Sequence, residues 1–196
     1  MSDTPVNGLV LAGGKSRRMG QDKALLDRDG QSQLAYLAGL LEKKVGRVFV
    51  STRVDQKDDG ERRKYAQIVD RYDDIGPLAG ILSAMEECPE ADWLVVACDL
   101  PNINGETISY LLENCSAEQP FTAYVSSHDG LPEPLCAIYR AGSIDIIRRF
   151  ADEGIYCPRK ILIRSDTFLL EQTHPGSLDN INTPDDLADS ILKAVS

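Results

Sequence analysis

The chain has 196 residues, of which 42% are hydrophobic, and it carries a formal net charge of −10 at pH 7. This length and composition predict one domain whose core needs no disulfide or metal, and the acidic balance argues against general nucleic-acid binding, because a phosphate backbone calls for a basic surface. Five cysteines, an odd number without a CxxC pair, argue against a disulfide framework and a zinc site and predict a cytoplasmic protein. The lack of a long apolar run predicts no export and no membrane contact.

Strands and helices alternate along the chain. In order, the predicted elements are a strand over 6–12, a helix over 33–44, strands over 47–51 and 66–70, a helix over 76–87, a strand over 92–101, a helix over 105–115, strands over 121–126 and 134–140, a helix over 141–154, a strand over 166–172 and a helix over 183–194. Short apolar runs indicate the strands, and apolar residues at three-and-four spacing indicate the helices. The stretch 55–65 is predicted to be a charged surface excursion, and residues 159–165 fit either a short helix or a strand. For the last helix, Thr183 suits the N-cap and Pro184 the first turn.

This alternation predicts an α/β fold: a single three-layer Rossmann-like domain over residues 1–196, with a mostly parallel sheet and helices on both faces. Ligands bind to such sheets at the carboxyl ends of the strands. The polar residues that follow the first four strands should therefore lie along one edge. They are Gly13 and Gly14, Ser51, Asp70 and Asp99.

The glycine-rich stretch LAGGKSRRMGQDK, residues 11–23, fits neither of two common phosphate-binding motifs. A P-loop needs a glycine where Leu9 stands, and the glycines do not have the spacing of the dinucleotide fingerprint. Four cations nevertheless lie beside the glycine pair, namely Lys15, Arg17, Arg18 and Lys23. Such a cluster can be a solvated surface face, but glycines at the end of a buried strand favour a local phosphate site.

The acids and amides of the predicted edge each admit two interpretations. Asp99 is either a turn residue or a ligand of Mg²⁺, which proteins usually hold by one or two carboxylates together with substrate phosphates. Asp70 either caps the chain or pairs with Arg71, or else it contacts a nucleotide or a hydrated metal. Asn180 and Asn182 either make local turn contacts or face the ligand crevice. The two histidines lack a triad-like neighbourhood, so no covalent mechanism is predicted.

Several ordered motifs resemble the molybdenum cofactor guanylyltransferase family. They are LAGGKSRRMGQDK at 11–23, IVD at 68–70, GPLAGI at 76–81, ACDLP at 97–101 and NINTPDDL at 180–187, and together they cover nearly the whole chain. The resemblance implies a fold like that of the nucleotide-diphospho-sugar transferases. It also implies transfer of GMP from GTP to the phosphate of molybdopterin, or of its molybdenum-loaded form, with Mg²⁺ and with release of pyrophosphate.

The resemblance further implies roles for individual residues. Those expected to bind the nucleotide are Leu11, Ala12, Gly13, Gly14, Ser51, Asp70, Gly76, Pro77, Leu78 and Gly80, with Ser51 where the family pattern has asparagine. Arg18 and Lys23 would neutralise the phosphates, and Asp99 would hold Mg²⁺. Asn180 and Asn182 would lie toward the pterin or the metal. Protein partners such as molybdenum-insertion proteins or molybdoenzyme chaperones are left open.

Other reactions remain alternatives at this point. The resemblance implies that the paired Gly13 and Gly14 accompany purine recognition, whereas relatives that use CTP tend to have alanine at the position of Gly14. Cytidylyl transfer to molybdopterin and nucleotidyl transfer to a sugar phosphate stay open, as does a nucleotide-binding accessory module without catalysis. The C-terminal region shows no left-handed helix repeat of the kind that sugar nucleotide enzymes often append, which favours the pterin acceptor.

Overall fold

A seven-stranded sheet organises the molecule in the computed structural model, which describes residues 4–14, 20–188 and 190–194. The strands are β1 (Val6–Leu11), β2 (Asp27–Arg28), β3 (Gln31–Ser32), β4 (Arg47–Thr52), β5 (Ala66–Val69), β6 (Asp92–Ala97), β7 (Phe121–Val125), β8 (Pro132–Tyr139) and β9 (Thr167–Leu170). The sheet order is β5-β4-β1-β6-β8-β7-β9, while β2 and β3 form a separate antiparallel pair. Within the large sheet, β8 runs antiparallel to both its neighbours and every other pairing is parallel. The predicted mostly parallel sheet is confirmed.

Helices cover both faces of this sheet. They are α1 (Gln33–Glu42), α2 (Pro77–Glu87), α3 (Gly105–Asn114), α4 (Ile144–Asp152), α5 (Pro158–Ile163) and α6 (Pro184–Ala188). Apolar residues of α1 and α3 share one buried cluster, and those of α2, α4 and α5 share another. The α/β architecture with helices on both faces is therefore confirmed, and the ambiguous stretch 159–165 lies mostly in a helix.

Strand β6 shows why the sheet is central to the core. All six of its residues are buried, and its side chains alternate between the two clusters, with Leu94 and Val96 on one face and Trp93 and Val95 on the other. Burial of each such side chain contributes about 1.5–3 kcal/mol. A strand packed on both faces in this way can carry a polar group at its end without losing its position.

The predicted last helix over 183–194 is wrong in its second half. Thr183 does cap the helix, since its Oγ1 accepts a hydrogen bond from the backbone N–H of Asp186 at 3.1 Å, but α6 is assigned only over Pro184–Ala188. Lys193 instead pairs with Asp27 through two backbone hydrogen bonds of 2.9 and 2.8 Å. Leu192 is buried with Leu26 and others in a small apolar cluster. This backbone pairing and burial hold residues 190–194 out of a helix.

Among the residues described, no helix is both long and apolar enough to cross a membrane.

Candidate active site

A cavity of about 770 Å³ lies at the carboxyl edge of the four parallel strands β5, β4, β1 and β6. The predicted residues that line it are Leu11, Ala12, Gly13, Gly14, Lys23, Ser51, Asp70, Gly76, Pro77, Gly80 and Asp99. Consecutive parallel strands bring their carboxyl ends to the same side, and for that reason segments distant in sequence meet here. The expectation that the polar residues after the first four strands share one edge is confirmed.

Helix α2 starts directly at this cavity. Gly76, with a φ of 63°, turns the chain into the helix, and Pro77 occupies the first turn, where its missing N–H costs nothing. The positive end of the α2 dipole therefore faces the cavity and favours an anionic ligand. Leu78 differs from the expectation: it is fully buried in the apolar cluster below α2 and does not line the cavity, because it is on the core side of the helix.

Gly80 lets α2 approach the strands closely. A Cβ added to Gly80 would lie 2.8 Å from Cδ2 of Leu11 and 3.0 Å from Cβ of Ser51, and nearer still to the Ser51 hydroxyl. Real Cβ atoms essentially never come that close to neighbouring atoms. The position therefore sets the distance between α2 and the edge of the sheet, and with it the width of the cavity.

Asp70 is held at the floor of the cavity by Ser51. The Ser51 hydroxyl donates a hydrogen bond of 2.7 Å to Oδ1 of Asp70. Burial raises the pKa of Asp70 to about 6, although the Ser51 hydrogen bond and the charge of Arg53 act in the opposite direction. A Cβ at Gly13 would be only 3.0 Å from Oδ2 of Asp70, so the glycine loop and this carboxyl group are in close contact. The alternative pairing of Asp70 with Arg71 is not among the contacts of the described residues, where Arg71 pairs with glutamates of α2.

Lys23 and Asp99 meet at the end of β6. Nζ of Lys23 is 3.7 Å from Oδ2 of Asp99, and the two side chains are 16% and 21% exposed. Burial raises the pKa of Asp99, and the charge of Lys23 opposes that rise. The second oxygen of Asp99, Oδ1, is buried and has no hydrogen-bond partner among the described residues. A buried carboxylate oxygen without a donor needs a ligand or a cation to satisfy it.

The segment before α6 lies beside this pair. The backbone N–H of Ile181 donates to the carbonyl oxygen of Asp99 at 2.9 Å, and Nζ of Lys23 donates to Oδ1 of Asn182 at 3.1 Å and also to the carbonyl oxygen of Ile181. Asn182 is thereby brought to Lys23, while Asn180 is exposed next to it. Neither asparagine lines the cavity, although Asn182 contacts Lys23, which does.

The prediction that residues 55–65 lie on the surface is wrong for Arg62, which is buried behind the glycine loop. Arg53, just before this stretch, also contacts that loop. Arg62 is 1% exposed and donates to the carbonyl oxygen of Ala12 at 2.7 Å, and Nη1 of Arg53 donates to the carbonyl oxygen of Gly13 at 2.6 Å. Nothing in the sequence distinguishes Arg62 from the neighbouring Arg63, which is exposed. The position of Arg62 behind the glycine loop depends on tertiary packing alone.

A resident metal would have a carboxylate donor here but no preformed cage. The described part of the chain contains no group of three or more His, Cys, Asp or Glu residues that could hold a metal ion. Magnesium is commonly bound by one or two carboxylates plus phosphate oxygens, and the unpartnered Oδ1 of Asp99 beside the cavity fits such a site. The predicted cation Arg18 lies outside the described residues.

Comparisons with known proteins point to one family. Residues 8–168 match the family described as MobA-like NTP transferase domain. A molybdenum cofactor biosynthesis bifunctional protein from Synechocystis sp. is 38% identical over 186 residues, which are 95% of this chain but 54% of that protein, so the chain spans about half the length of this relative. A probable molybdenum cofactor guanylyltransferase from Thermococcus sibiricus is 30% identical over 187 residues, covering 92% of this chain and 94% of that protein.

The fold is shared with solved structures as well. The crystal structure of molybdopterin-guanine dinucleotide biosynthesis protein A from Archaeoglobus fulgidus matches with a TM-score of 0.76 at 24% identity, covering 93% of this chain and 95% of that one. At this identity the likeness concerns the fold. The match over residues 8–168, with relatives that cover most of the chain, shows that the chain belongs to the MobA-like NTP transferase family.

Proposed function

We propose that this protein transfers GMP from GTP to the phosphate of molybdopterin, or of its molybdenum-loaded form, and releases pyrophosphate. The observation that carries the proposal is the meeting of Lys23 and Asp99, 3.7 Å apart, in the lining of a cavity that the glycine loop and the start of α2 also line. The relative from Thermococcus sibiricus, which is named a probable molybdenum cofactor guanylyltransferase, supports the choice of acceptor and base.

The reaction requires alignment and charge balance, and it needs no protein nucleophile. An oxygen of the acceptor phosphate attacks the α-phosphorus of GTP, a P–O bond forms, and the bond from the α-phosphorus to the bridging oxygen of pyrophosphate breaks. The protein must bring two anions together in line and stabilise the charge on the leaving group. An ammonium group, glycine amides and a helix N-terminus surround the cavity for that purpose.

Each group then has a place in the proposed site. Lys23 neutralises the triphosphate, and Gly13 and Gly14 bring the backbone close to it. Asp99 would hold Mg²⁺, which when bound supplies positive charge to the phosphate oxygens. Asp70 lies at the nucleotide, and Arg18 stays a predicted phosphate ligand. Asn180 and Asn182 lie on the acceptor side, where Lys23 contacts the amide of Asn182.

The choice of guanine is supported by space at the second glycine. A Cβ added at Gly14 would meet no atom of the described residues within 4 Å, and Gly14 lines the cavity. A purine is larger than a pyrimidine, and its approach to the backbone benefits from the missing methyl group. We therefore propose GTP as the donor. A cytoplasmic location and protein partners of the molybdenum pathway stay predictions, because the site does not bear on them.

Pyrophosphate release tests the proposal. The protein is incubated with each of the four nucleoside triphosphates, with and without molybdopterin, and with and without Mg²⁺. We expect release with GTP that depends on both molybdopterin and Mg²⁺. Turnover with CTP, or with a hexose phosphate as acceptor, would contradict the proposed substrates. Binding of GTP without release under any of these conditions would favour a nucleotide-binding module instead of an enzyme.

A further inference from the structure

The segment between β4 and β5 holds the glycine loop from behind. Of its two arginines near the loop, Arg53 lines the cavity, whereas Arg62 is 1% exposed and does not line it. We propose that Arg62 is a positioning residue for nucleotide binding: it fixes the glycine loop and the turn that carries Lys23 through one guanidinium group. This inference rests on the proposed function only in taking a nucleoside triphosphate as the ligand of the cavity.

The contacts of Arg62 reach both sides of residues 15–19. Its Nη2 donates to the carbonyl oxygen of Ala12 at 2.7 Å and to Oδ2 of Asp22 at 2.7 Å. Its Nη1 is 3.6 Å from Oδ1 of Asp59, an acid of the same segment. A planar guanidinium can donate several hydrogen bonds in fixed directions, so one side chain sets the spacing between residues 12 and 22.

The first consequence concerns the backbone amide of Gly13. In a trans peptide the N–H points away from the preceding C=O. Because the carbonyl of Ala12 points to the buried Arg62, the N–H of Gly13 is turned to the opposite side, where Gly13 and Gly14 line the cavity. Arg62 thus orients the amide of Gly13 for an anion.

The second consequence concerns Lys23. Asp22 accepts a hydrogen bond from the N–H of Ala24 through Oδ1 at 3.0 Å, and this contact caps the 3₁₀ turn Lys23–Leu25. The other carboxylate oxygen of Asp22 is the one that Arg62 binds. Arg62 therefore restrains Asp22, Asp22 restrains the turn, and the turn directs Lys23 toward Asp99.

Stability alone does not account for a buried arginine at this place. Nε of Arg62 is buried and has no hydrogen-bond partner among the described residues, so the side chain is not fully satisfied. Buried ion pairs are on average weak contributors to stability, and apolar groups of similar volume often replace them without loss. The geometric restraint on two parts of the binding site is what distinguishes Arg62 from a packing residue.

The test compares GTP affinity and folding stability in the full chain. Arg62→Met removes all hydrogen bonds of the guanidinium, Arg62→Lys keeps the charge without the planar fork, and Asp22→Asn weakens the link to the Lys23 turn. Isothermal titration of GTP with Mg²⁺ gives the dissociation constant, and urea unfolding gives the stability. We expect Arg62→Met to raise the Kd by about tenfold or more, the factor that corresponds to loss of one hydrogen bond to a charged group. Arg62→Lys should restore part of the affinity.

Arg140 offers a matched control. It is largely buried and pairs with Asp92 at 2.6 Å, at the amino end of β6 and roughly 20 Å along the strand from Asp99. Arg140→Lys should lower stability and leave the Kd for GTP unchanged. In a double-mutant cycle, Arg62→Lys and Asp22→Asn should have non-additive effects on the Kd, because they break the same link.

Two outcomes would overturn the proposal: an unchanged Kd in folded Arg62→Lys and Arg62→Met, or an equal rise of the Kd in Arg140→Lys. Should Arg62→Met fail to fold, Arg62→Lys and Asp22→Asn decide the question by the same criterion. If the wild-type chain binds a different nucleoside triphosphate, the choice of GTP in the proposed function is wrong, and the comparison of variants is made with that nucleotide.

Discussion

The close approach of α2 to the sheet makes Gly80→Ala a sharp test of how the cavity is built. The added methyl group would lie 2.8 Å from Leu11 and within contact of Ser51, which is itself hydrogen-bonded to Asp70. Overpacking of this kind costs about 1–3 kcal/mol, because side chains or backbone must shift. A glycine replaced by alanine inside a helix gains about 1 kcal/mol of helix propensity, which offsets part of this cost.

Gly39→Ala is the matched control for Gly80→Ala. Gly39 lies within α1, and a Cβ there would meet no atom within 4 Å in the part of the chain that the structure describes. The helix propensity gain is the same in both variants, so their difference in unfolding free energy isolates the overpacking cost of about 1–3 kcal/mol. For a chain of this length that difference corresponds to roughly 2–12 °C in Tm.

Urea unfolding of both variants measures this difference, and titration with GTP follows the effect on the site. We expect Gly39→Ala to be more stable than the wild type and to bind GTP normally. Gly80→Ala should be less stable than Gly39→Ala and should bind GTP more weakly, because the shift is transmitted to Ser51 and Asp70. Equal stability of the two variants would refute the idea that Gly80 sets the distance between α2 and the strands.

Three further predictions address the site and its border. Lys23→Ala and Asp99→Ala should each lower the rate of GMP transfer by about 10²–10³ without loss of the folded state, whereas the exposed Lys43→Ala should have wild-type activity; pyrophosphate release and circular dichroism check this. The pKa of Asp70, raised by burial to about 6, means that the folded state binds more protons than the unfolded state between about pH 4 and 6. The contribution of Asp70 to the unfolding free energy, up to about 3 kcal/mol, is therefore lost as the pH rises through that window. Asp70→Asn should remove this pH dependence when urea unfolding is compared at about pH 4.5 and 6.5. Leu192→Ala should cost about 2 kcal/mol, because the side chain is 2% exposed, and an unchanged urea midpoint would contradict the burial of Leu192.

The strands, most helices and the site edge could be predicted from the sequence for a physical reason. Local apolar patterns mark the elements, and parallel strands place their carboxyl ends together, so the sequence alone assigns Gly13, Ser51, Asp70 and Asp99 to one edge. The motifs around them indicated the family. The motif GPLAGI also predicts Leu78 at the nucleotide, but the direction of its side chain on α2 places it in the core.

The sequence by itself determined the element order, the sheet edge and the residues that follow each strand, because these depend on short-range periodicity and on chain order. Only the tertiary structure decided which of two adjacent arginines is buried: Arg62 is buried and Arg63 is exposed. It also decided that residues 190–194 pair with Asp27 instead of extending α6. Both outcomes depend on partners far away along the chain, Ala12 and Asp22 for Arg62 and Asp27 for Lys193, and no local pattern encodes a contact between residues so distant.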